Sequence, residues 1–161
     1  MRVFRIEREK YLNATLNGVG AALTEGARWN SLNTHLVYTA GSRALALLEV
    51  SVHIDLSDEL PTDRFYVEID IPEDISITEL TVDELPENWD AKPPTLETQF
   101  IGDDFVAQKI AAVLKVPSSI VPPEHNYLIN PNHPDTTRIT VVSTESLQID
   151  NRFRLRKAQE S

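Results

Sequence analysis

Two charged residues stand among apolar and aromatic neighbours in the stretch EGARWNSLNTHLVYTAGSRALALLEV, residues 25–50. Arg28 offers a planar fork of donors that suits phosphate and carboxylate oxygens. Glu49 offers a carboxylate that can stabilise developing positive charge, and an apolar setting strengthens its field by lowering the local dielectric. Taken singly, Arg28 is also explained by pairing with a surface acid, and Glu49 by a place at the edge of an apolar helix stripe.

Other residues with reactive or aromatic side chains carry less information one at a time. Tyr38 and Trp29 fit core aromatics, and Ser118 and Ser119 follow a proline as turn residues do. The GVG at residues 18–20 lacks the third glycine and the preceding strand of a dinucleotide-binding motif. The sequence has neither a Gly-x-Ser-x-Gly nucleophile elbow nor a phosphate-binding loop with lysine.

The residue types that bind metals are sparse. The chain has no cysteine, which excludes a disulfide framework and a cysteine-based zinc site. No two of its four histidines show the i, i+4 spacing of a helical metal site: His35, His53, His125 and His133. We therefore predict no metal centre.

A predicted strand and a predicted helix separate Arg28 from Glu49. THLVYTA, Thr34–Ala40, is short, β-branched and aromatic, as a buried strand is. Ser42 then suits the N-cap of a helix that runs to about His53. Within this helix four residues at i, i+3, i+4 and i+7 share one predicted face: Leu45, Leu48, Glu49 and Val52.

The rest of the chain mixes strands and helices without a regular strand–helix–strand rhythm. Strands are predicted at VFRI near the start, at RFYVEIDIP with ISITEL after it, at AAVLKVPSSIV as far as Pro117, and at TRITVVSTESLQI. FIGDDFVAQKI predicts a helix, PPEHNYLINPNHPD an irregular segment, and RFRLRKAQES a basic tail. We therefore expect an α+β fold rather than a doubly wound sheet.

Length and charge narrow the classes of protein to consider. The 161 residues suffice for one domain with its own core. The formal net charge of -10 argues against direct binding of DNA or RNA, because this field repels phosphates. The charged N-terminus lacks an apolar signal segment, and no stretch approaches the roughly 20 apolar residues of a membrane span. We expect a soluble, cytoplasmic protein, and a basic protein partner is compatible with its charge.

Three segments together resemble the RES domain family: GARWN, HLVYTAGSRALALLEV and VPSSIVPPEHNYLINPNHP. The resemblance runs from VFRI to FRL, so we treat residues 1–161 as a single RES domain. It implies an ADP-ribosyltransferase-like fold with a mixed β-sheet core and flanking helices. It also implies a toxin that takes NAD as its substrate and uses no metal. Such toxins split the nicotinamide bond by hydrolysis or by phosphorolysis, with inorganic phosphate as co-substrate.

The same resemblance implies a partner. Members of the family are held inactive by a cognate antitoxin with an Xre-like DNA-binding domain. We therefore expect an oligomeric toxin–antitoxin complex in which the toxin does not touch DNA itself. Two other functions stay open: ADP-ribosyl transfer to a protein target with the same residues, and a non-catalytic interaction module that keeps only the fold.

The family's functional residues fall on particular positions of this sequence. Its arginine matches Arg28, its tyrosine Tyr38 and its glutamate Glu49. Its serine matches Ser118, directly after a proline, better than the adjacent Ser119. Beside these four catalytic residues, the resemblance implies six that bind substrate: Trp29, Asn30, Arg43, Ser119, Asn126 and Asn130.

Cleavage of NAD would give each of these residue types a task. Arg28 would hold phosphate or ribose oxygens, and Glu49 would stabilise the oxocarbenium-like charge on the ribose as nicotinamide leaves. Tyr38 and Trp29 would stack on a flat ring or shape the pocket. Ser118 would bond the substrate or orient the glutamate.

Overall fold

The computed structural model describes residues 1–57 and 59–154. Its strands are β1 (Arg2–Arg8), β2 (Val37–Ala40), β3 (Arg64–Asp70), β4 (Ile77–Glu79), β5 (Val113–Pro117), β6 (His125–Ile129) and β7 (Thr140–Ser146). Its α-helices are α1 (Val19–Ala22), α2 (Arg43–Ser51) and α3 (Leu96–Gln108). Short 3-10 turns occupy Glu9–Ala14, Val82–Glu84, Pro134–Arg138 and Asn151–Phe153. The predicted basic tail lies outside the described residues from residue 155 onward.

The seven strands form one sheet in the order β4-β5-β6-β2-β1-β3-β7. Neighbouring strands are antiparallel except β4 and β5, which run parallel. The predicted α+β class, with a mixed sheet and flanking helices, is confirmed. Because β2 and β6 are neighbours, side chains far apart in sequence meet at the middle of the sheet.

Most predicted strands are confirmed with shifted ends. VFRI lies within β1, RFYVEIDIP contains β3, and AAVLKVPSSIV contains β5, which ends at Pro117 as expected. THLVYTA gives a strand only from Val37, because the preceding residues form a turn around Asn33, whose φ is 70°. The segment PPEHNYLINPNHPD was predicted to be irregular, and this is wrong. It contains β6, whose two neighbours satisfy its backbone on both sides despite its polar and proline-rich flanks.

The two longer helices are confirmed, and their predicted details need correction. The hydroxyl of Ser42 accepts from the N–H of Leu45 at 3.1 Å, so the predicted cap of α2 is present. The predicted stripe is wrong at Leu48 and Val52, which are 37% and 62% exposed. The helix rests on the sheet through Leu45 and Ala46, with Glu49 half-buried one turn after Leu45.

The helix predicted at FIGDDFVAQKI is α3, which begins four residues earlier, at Leu96, and ends at Gln108. It ends where Lys109 adopts a left-handed conformation with φ 52°. Within residues 1–57 and 59–154, none of the helices has the length and apolar character that crossing a bilayer requires.

The sheet is covered on both faces. One face carries a core of alternate strand residues against which Leu12, in the 3-10 turn at Glu9–Ala14, packs: Val3, Val37, Val67, Ile69, Val113 and Ile129. The opposite face carries two clusters. The first lies under α3: Trp29, Leu36, Leu85, Trp89, Val106, Leu114, Val116 and Leu128. The second lies under α2: Ala40, Leu45 and Ala46. The boundary between these two clusters positions the candidate residues.

Candidate active site

Strands β2 and β6 place the candidate residues between α2 and α3. Tyr38 of β2 packs against the cluster under α3, whereas Ala40, two residues later on the same face, packs under α2. Asn126 of β6 lies opposite Ala40, and Leu128 lies opposite Tyr38. The side chains at this boundary therefore face the gap between the two helices.

Glu49 is held at this boundary by two hydrogen bonds to one carboxylate oxygen. The hydroxyl of Ser118 donates to Oε1 at 2.7 Å, and Nδ2 of Asn126 donates to the same oxygen at 2.8 Å. Oε2 accepts no hydrogen bond within the part of the chain that the structure describes. One oxygen is thus fixed by the fold, and the other has no bonding partner among the described residues.

The hydroxyl of Ser118 is fully engaged. The residue is 0% exposed, and its Oγ accepts from the N–H groups of Ile120 and Val121, both at 3.1 Å. A hydroxyl has a single proton, and Ser118 donates it in the hydrogen bond to Glu49. The hydroxyl therefore has no second proton to donate to a substrate. Ser119 is half-buried and makes no side-chain hydrogen bond to any described residue. Of the two serines left open by the sequence, Ser118 is the one that contacts the glutamate.

Arg28 approaches the same gap from the loop after α1. Its Nη1 donates to the carbonyl oxygens of Trp89 and Ala91, at 2.7 Å and 3.0 Å. Burial lowers the pKa of Arg28, and the charges of Asp90 first and Glu49 second oppose that shift. Nε and Nη2 donate to none of the described residues, so these two groups are available to an anion.

Tyr38 locks the loop that carries Arg28. Its hydroxyl donates to Oδ1 of Asn30 at 2.5 Å and accepts from the N–H of Trp29 at 3.1 Å. The amide nitrogen of Asn30, which is fully buried, donates in turn to the carbonyl oxygens of Ala21, Ser31 and Thr34. The phenol of Tyr38 is therefore occupied by the loop, and only its half-buried ring faces the gap.

We expect Tyr38→Phe to lower the free energy of unfolding by about 1–3 kcal/mol, because buried groups of Asn30 and Trp29 lose their partner. Burial raises the pKa of Tyr38 above its ordinary value of 10.0, so the folded chain keeps a proton that the unfolded chain releases. The stability that this proton contributes is present below about pH 10 and is lost as the pH rises further.

The difference in unfolding free energy between the wild type and Tyr38→Phe should therefore shrink above about pH 10 in denaturant titrations. Tyr11→Phe, at a side chain 47% exposed, is the matched control and should leave the stability unchanged. A Tyr38→Phe difference that stays constant through the alkaline range would contradict the proposed lock.

Four of the ten predicted site residues lie away from the gap or inside the core. Trp29 is 2% exposed, Asn30 and Asn130 are 0% exposed, and all three serve the packing or the loops. Nδ2 of Asn130 donates to the carbonyl oxygen of Val106 at 3.1 Å. Arg43 pairs with Glu68 at 3.1 Å, because six residues of helix turn it away from Glu49.

Several groups that shape the site were missed by sequence reasoning. The carbonyl oxygens of Trp89 and Ala91 hold Arg28, and no side-chain pattern reveals a backbone acceptor. Nε2 of Gln99 donates to the carbonyl oxygen of Ala27 at 2.8 Å, which ties α3 to the residue before Arg28. The sequence carries no signal for this tie, because the burial of Gln99 is seen only in the structure.

One notch near this gap, and the arrangement of acidic and histidine side chains in the described residues, add no residue to the site. Within residues 1–57 and 59–154, no group of three or more histidine, aspartate or glutamate side chains is arranged to hold a metal ion. A shallow notch is lined by Gly41, Leu45, Pro123, Glu124, His125 and Tyr127. It touches α2 one turn before Glu49 and includes none of the four residues assigned to catalysis.

Comparison with known proteins gives consistent results over nearly the whole chain. The family described as "RES domain" matches residues 2–150. "Prs ADP-ribosylating toxin" of Sphingobium sp. (strain YBL2) is 42% identical over 145 residues, which cover 89% of this chain and 88% of the relative. "Toxin Res" of Photorhabdus laumondii is 40% identical over 154 residues, covering 95% and 97%. "Toxin Res" of Yersinia enterocolitica is 36% identical over 156 residues, covering 96% and 100%.

A solved structure shares the fold at low sequence identity. A chain of the M. tuberculosis MbcT–MbcA toxin–antitoxin complex superposes with a TM-score of 0.71. The identity is 16%, and the match covers 91% of this chain and 83% of that chain.

Proposed function

Because this chain belongs to the RES domain family, we propose that it is the toxin of a toxin–antitoxin pair and that it cleaves the nicotinamide–ribose bond of NAD. The observation that carries the proposal is the clamped carboxylate of Glu49. Its Oε1 is fixed by Ser118 and Asn126, its Oε2 accepts from none of the described residues, and its charge favours the charged form of Arg28. The proposed cleavage of NAD would use a fixed carboxylate for the charge on the ribose and a cation for the pyrophosphate.

The bond cleavage sets the need for the carboxylate. The C1′–N bond breaks heterolytically, and its electron pair leaves with the nicotinamide nitrogen, which becomes neutral. Positive charge is left on the ribose, shared between C1′ and the ring oxygen. The free Oε2 of Glu49 stabilises this charge without reorganising, because Oε1 is already fixed. The leaving group is neutral once released, so it needs no strong general acid.

Arg28 supplies the charge of opposite sign. NAD carries an anionic pyrophosphate, and a chain with a net charge of -10 repels it overall. A guanidinium with Nη1 held by the carbonyl oxygens of Trp89 and Ala91 keeps Nε and Nη2 pointed in a fixed direction. We assign these two donors to phosphate or ribose oxygens.

Ser118 and Asn126 act as positioning residues in this proposal. The proton of Ser118 and one of the two N–H groups of Asn126 point at Glu49, and the second N–H of Asn126 donates to none of the described residues. The Oδ1 of Asn126 is buried and accepts from none of the described residues. Its amide is therefore oriented by the glutamate alone.

We expect Ser118→Ala to lower kcat about tenfold with little change in KM, because the serine orients Glu49 and does not touch the substrate. The variant should also lose about 1–3 kcal/mol of stability, since the N–H groups of Ile120 and Val121 lose their acceptor. Ser119→Ala is the matched control and should change neither quantity. Steady-state kinetics and thermal unfolding measure both effects. A raised KM with an unchanged kcat would mean that the serine binds the substrate.

The acceptor of the ADP-ribosyl group defines the finer function. Attack of water on C1′ gives ADP-ribose, and the proton that the water loses passes to Glu49 or to solvent. Attack of an anionic oxygen of inorganic phosphate on C1′ gives the 1-phosphate and releases no proton. Transfer to a protein side chain is the second candidate. The relative with 42% identity that is named an ADP-ribosylating toxin favours that alternative.

Product analysis tests the proposal and separates the acceptors. The chain, purified free of antitoxin, is incubated with NAD labelled in the ADP-ribose part, with and without phosphate and a cell extract. Release of nicotinamide together with free ADP-ribose or its 1-phosphate supports NAD degradation. Label retained on one protein band supports transfer to a protein. Absence of nicotinamide release under all of these conditions rules out NAD cleavage.

The partner follows from the same proposal. A toxin that consumes NAD acts in the cytoplasm and must be blocked until it is needed. We assign the inhibitor to a DNA-binding antitoxin of the Xre-like type, whose basic surface suits the acidic toxin. DNA then reaches the complex through the antitoxin.

A further inference from the structure

Four large apolar side chains lie exposed on the outer side of α3 and on the turns beside it. Leu23, Leu32, Leu96 and Phe100 are 75%, 50%, 66% and 62% exposed, and we call them the apolar stripe. Leu96 and Phe100 are four residues apart on α3, so they point to the same side of the helix. Contiguous exposed apolar surface of this kind marks an interaction site more often than a lone exposed leucine does.

Hydrogen bonds bring the two leucines of the turns next to the helix. Asp103, one turn after the phenylalanine, accepts from the N–H and the hydroxyl of Ser31, at 2.9 Å and 2.5 Å. This places the next residue, Leu32, beside α3. The N–H of Asn33 donates to the carbonyl oxygen of Ala22 at 2.8 Å. This bond brings their sequence neighbours Leu32 and Leu23 close to each other.

Acidic side chains border the apolar stripe. Glu25 lies two residues after its first leucine, Glu97 follows Leu96, and Asp104 lies four residues after Phe100. All three acids are exposed. The surface therefore combines an apolar centre with a negative border.

We propose that the apolar stripe is the docking surface for an amphipathic helix of the antitoxin, with apolar anchors flanked by lysine or arginine. The inference rests on the proposed function, which supplies the antitoxin. The acidic border selects a basic segment, and it opposes self-association because a second copy would bring two such borders together. The stripe has no strand edge, so the partner packs by side chains, as a helix against α3 does.

The stripe is continuous with the elements that hold Arg28. Gln99, next to Phe100, donates to the carbonyl oxygen of Ala27 at 2.8 Å. The carbonyl oxygen of Ala91, which accepts from Arg28, lies five residues before Leu96. A helix seated on the stripe would thus pack on α3, which is tied to the residue before Arg28 and follows the loop that holds the guanidinium.

The test uses the full chain and the Xre-like antitoxin that the proposed function assigns to it. The double variant Leu96→Ser/Phe100→Ser removes the centre of the stripe and leaves the assigned catalytic residues intact. We expect nicotinamide release without antitoxin to be unchanged. The antitoxin concentration for half-inhibition should rise roughly 100-fold, because central apolar anchors dominate such interfaces. Val142→Ser is the matched control, because its side chain is 44% exposed and lies on β7. It should change the antitoxin concentration for half-inhibition less than about twofold.

Calorimetric titration of the antitoxin into the wild type and into the double variant measures docking independently of any NAD reaction. Failure of the proposed function would then show as absent nicotinamide release, with the binding result still interpretable. Equal affinity of the double variant and the wild type would overturn the docking inference. It would also be overturned if the free wild-type chain sediments as a dimer and the double variant as a monomer, since the occupant would then be a second copy.

Discussion

Glu49→Gln should lower the rate of nicotinamide release from NAD by about 10²–10³-fold while leaving the fold intact. The glutamine oxygen can still accept from Ser118 and Asn126, so both hydrogen bonds that fix the side chain are kept. What changes is the other end, where a neutral NH₂ group replaces the charged oxygen that we assign to the developing charge on the ribose. The loss should appear in kcat and in kcat/KM to a similar degree, because the contact strengthens as the positive charge develops.

Single-turnover kinetics under saturating NAD measure this effect directly. Glu68→Gln is a suitable control. Glu68 of β3 is also a half-buried carboxylate, and it pairs with Arg43 outside the gap. This variant should keep the turnover of the wild type. A correctly folded Glu49→Gln variant with wild-type turnover would remove this residue from the mechanism.

Arg28→Lys should lower kcat/KM for NAD by about 10²-fold. The guanidinium holds the carbonyl oxygens of Trp89 and Ala91 with Nη1 and keeps two other donors for the substrate. A lysine ammonium is a point charge that cannot span both carbonyl oxygens and a phosphate in fixed directions. Loss of charged hydrogen bonds worth about 1.5–3 kcal/mol each gives an effect of this size.

The effect of Arg28→Lys should fall mainly on KM, because the residue is assigned to binding that is common to the ground state and the transition state. Arg43→Lys is the control, since Arg43 pairs with Glu68 and does not reach the gap. If Arg28→Lys keeps both the affinity for NAD and the turnover, the role assigned to the guanidinium is wrong.

The sequence predicts the class of fold better than the path of the chain. Alternation identified β3, and a serine cap with an apolar run identified α2, because both signals are local. Strand β6 was not predicted, because its sequence lies between two prolines and is typical of a loop. Pairing with β5 on one side and β2 on the other makes it a strand. The exposed Leu48 and Val52 show the same limit. Periodicity identifies residues that share one side of a helix, but it does not show which side packs on the sheet.

The candidate site divides in the same way. Arg28, Tyr38, Glu49 and Ser118 were found through the resemblance to a family, because residue types singly carry too little information. The structure brings Glu49 together with Ser118 and Asn126, and it moves Arg43 to a different pair. Trp29 and Asn30 sit next to Arg28 in sequence, yet they face the core and the loop. Residues 28 and 29 lie in a bend, and none of residues 28–30 lies in a strand or helix, so adjacency in sequence does not place their side chains in one pocket.

The two hydrogen bonds that fix Glu49 have a consequence for the synthesis of the protein on the ribosome. Ser118 and Asn126 lie 69 and 77 residues after the glutamate that they fix. At a translation rate of roughly 5–20 residues per second, the glutamate emerges several seconds before either partner. Contacts of such long sequence range also close slowly. Nascent chains and prematurely terminated fragments therefore lack an oriented carboxylate, so the reaction that we propose could begin only after β6 has joined the sheet. This delay gives a co-synthesised inhibitor time to arrive.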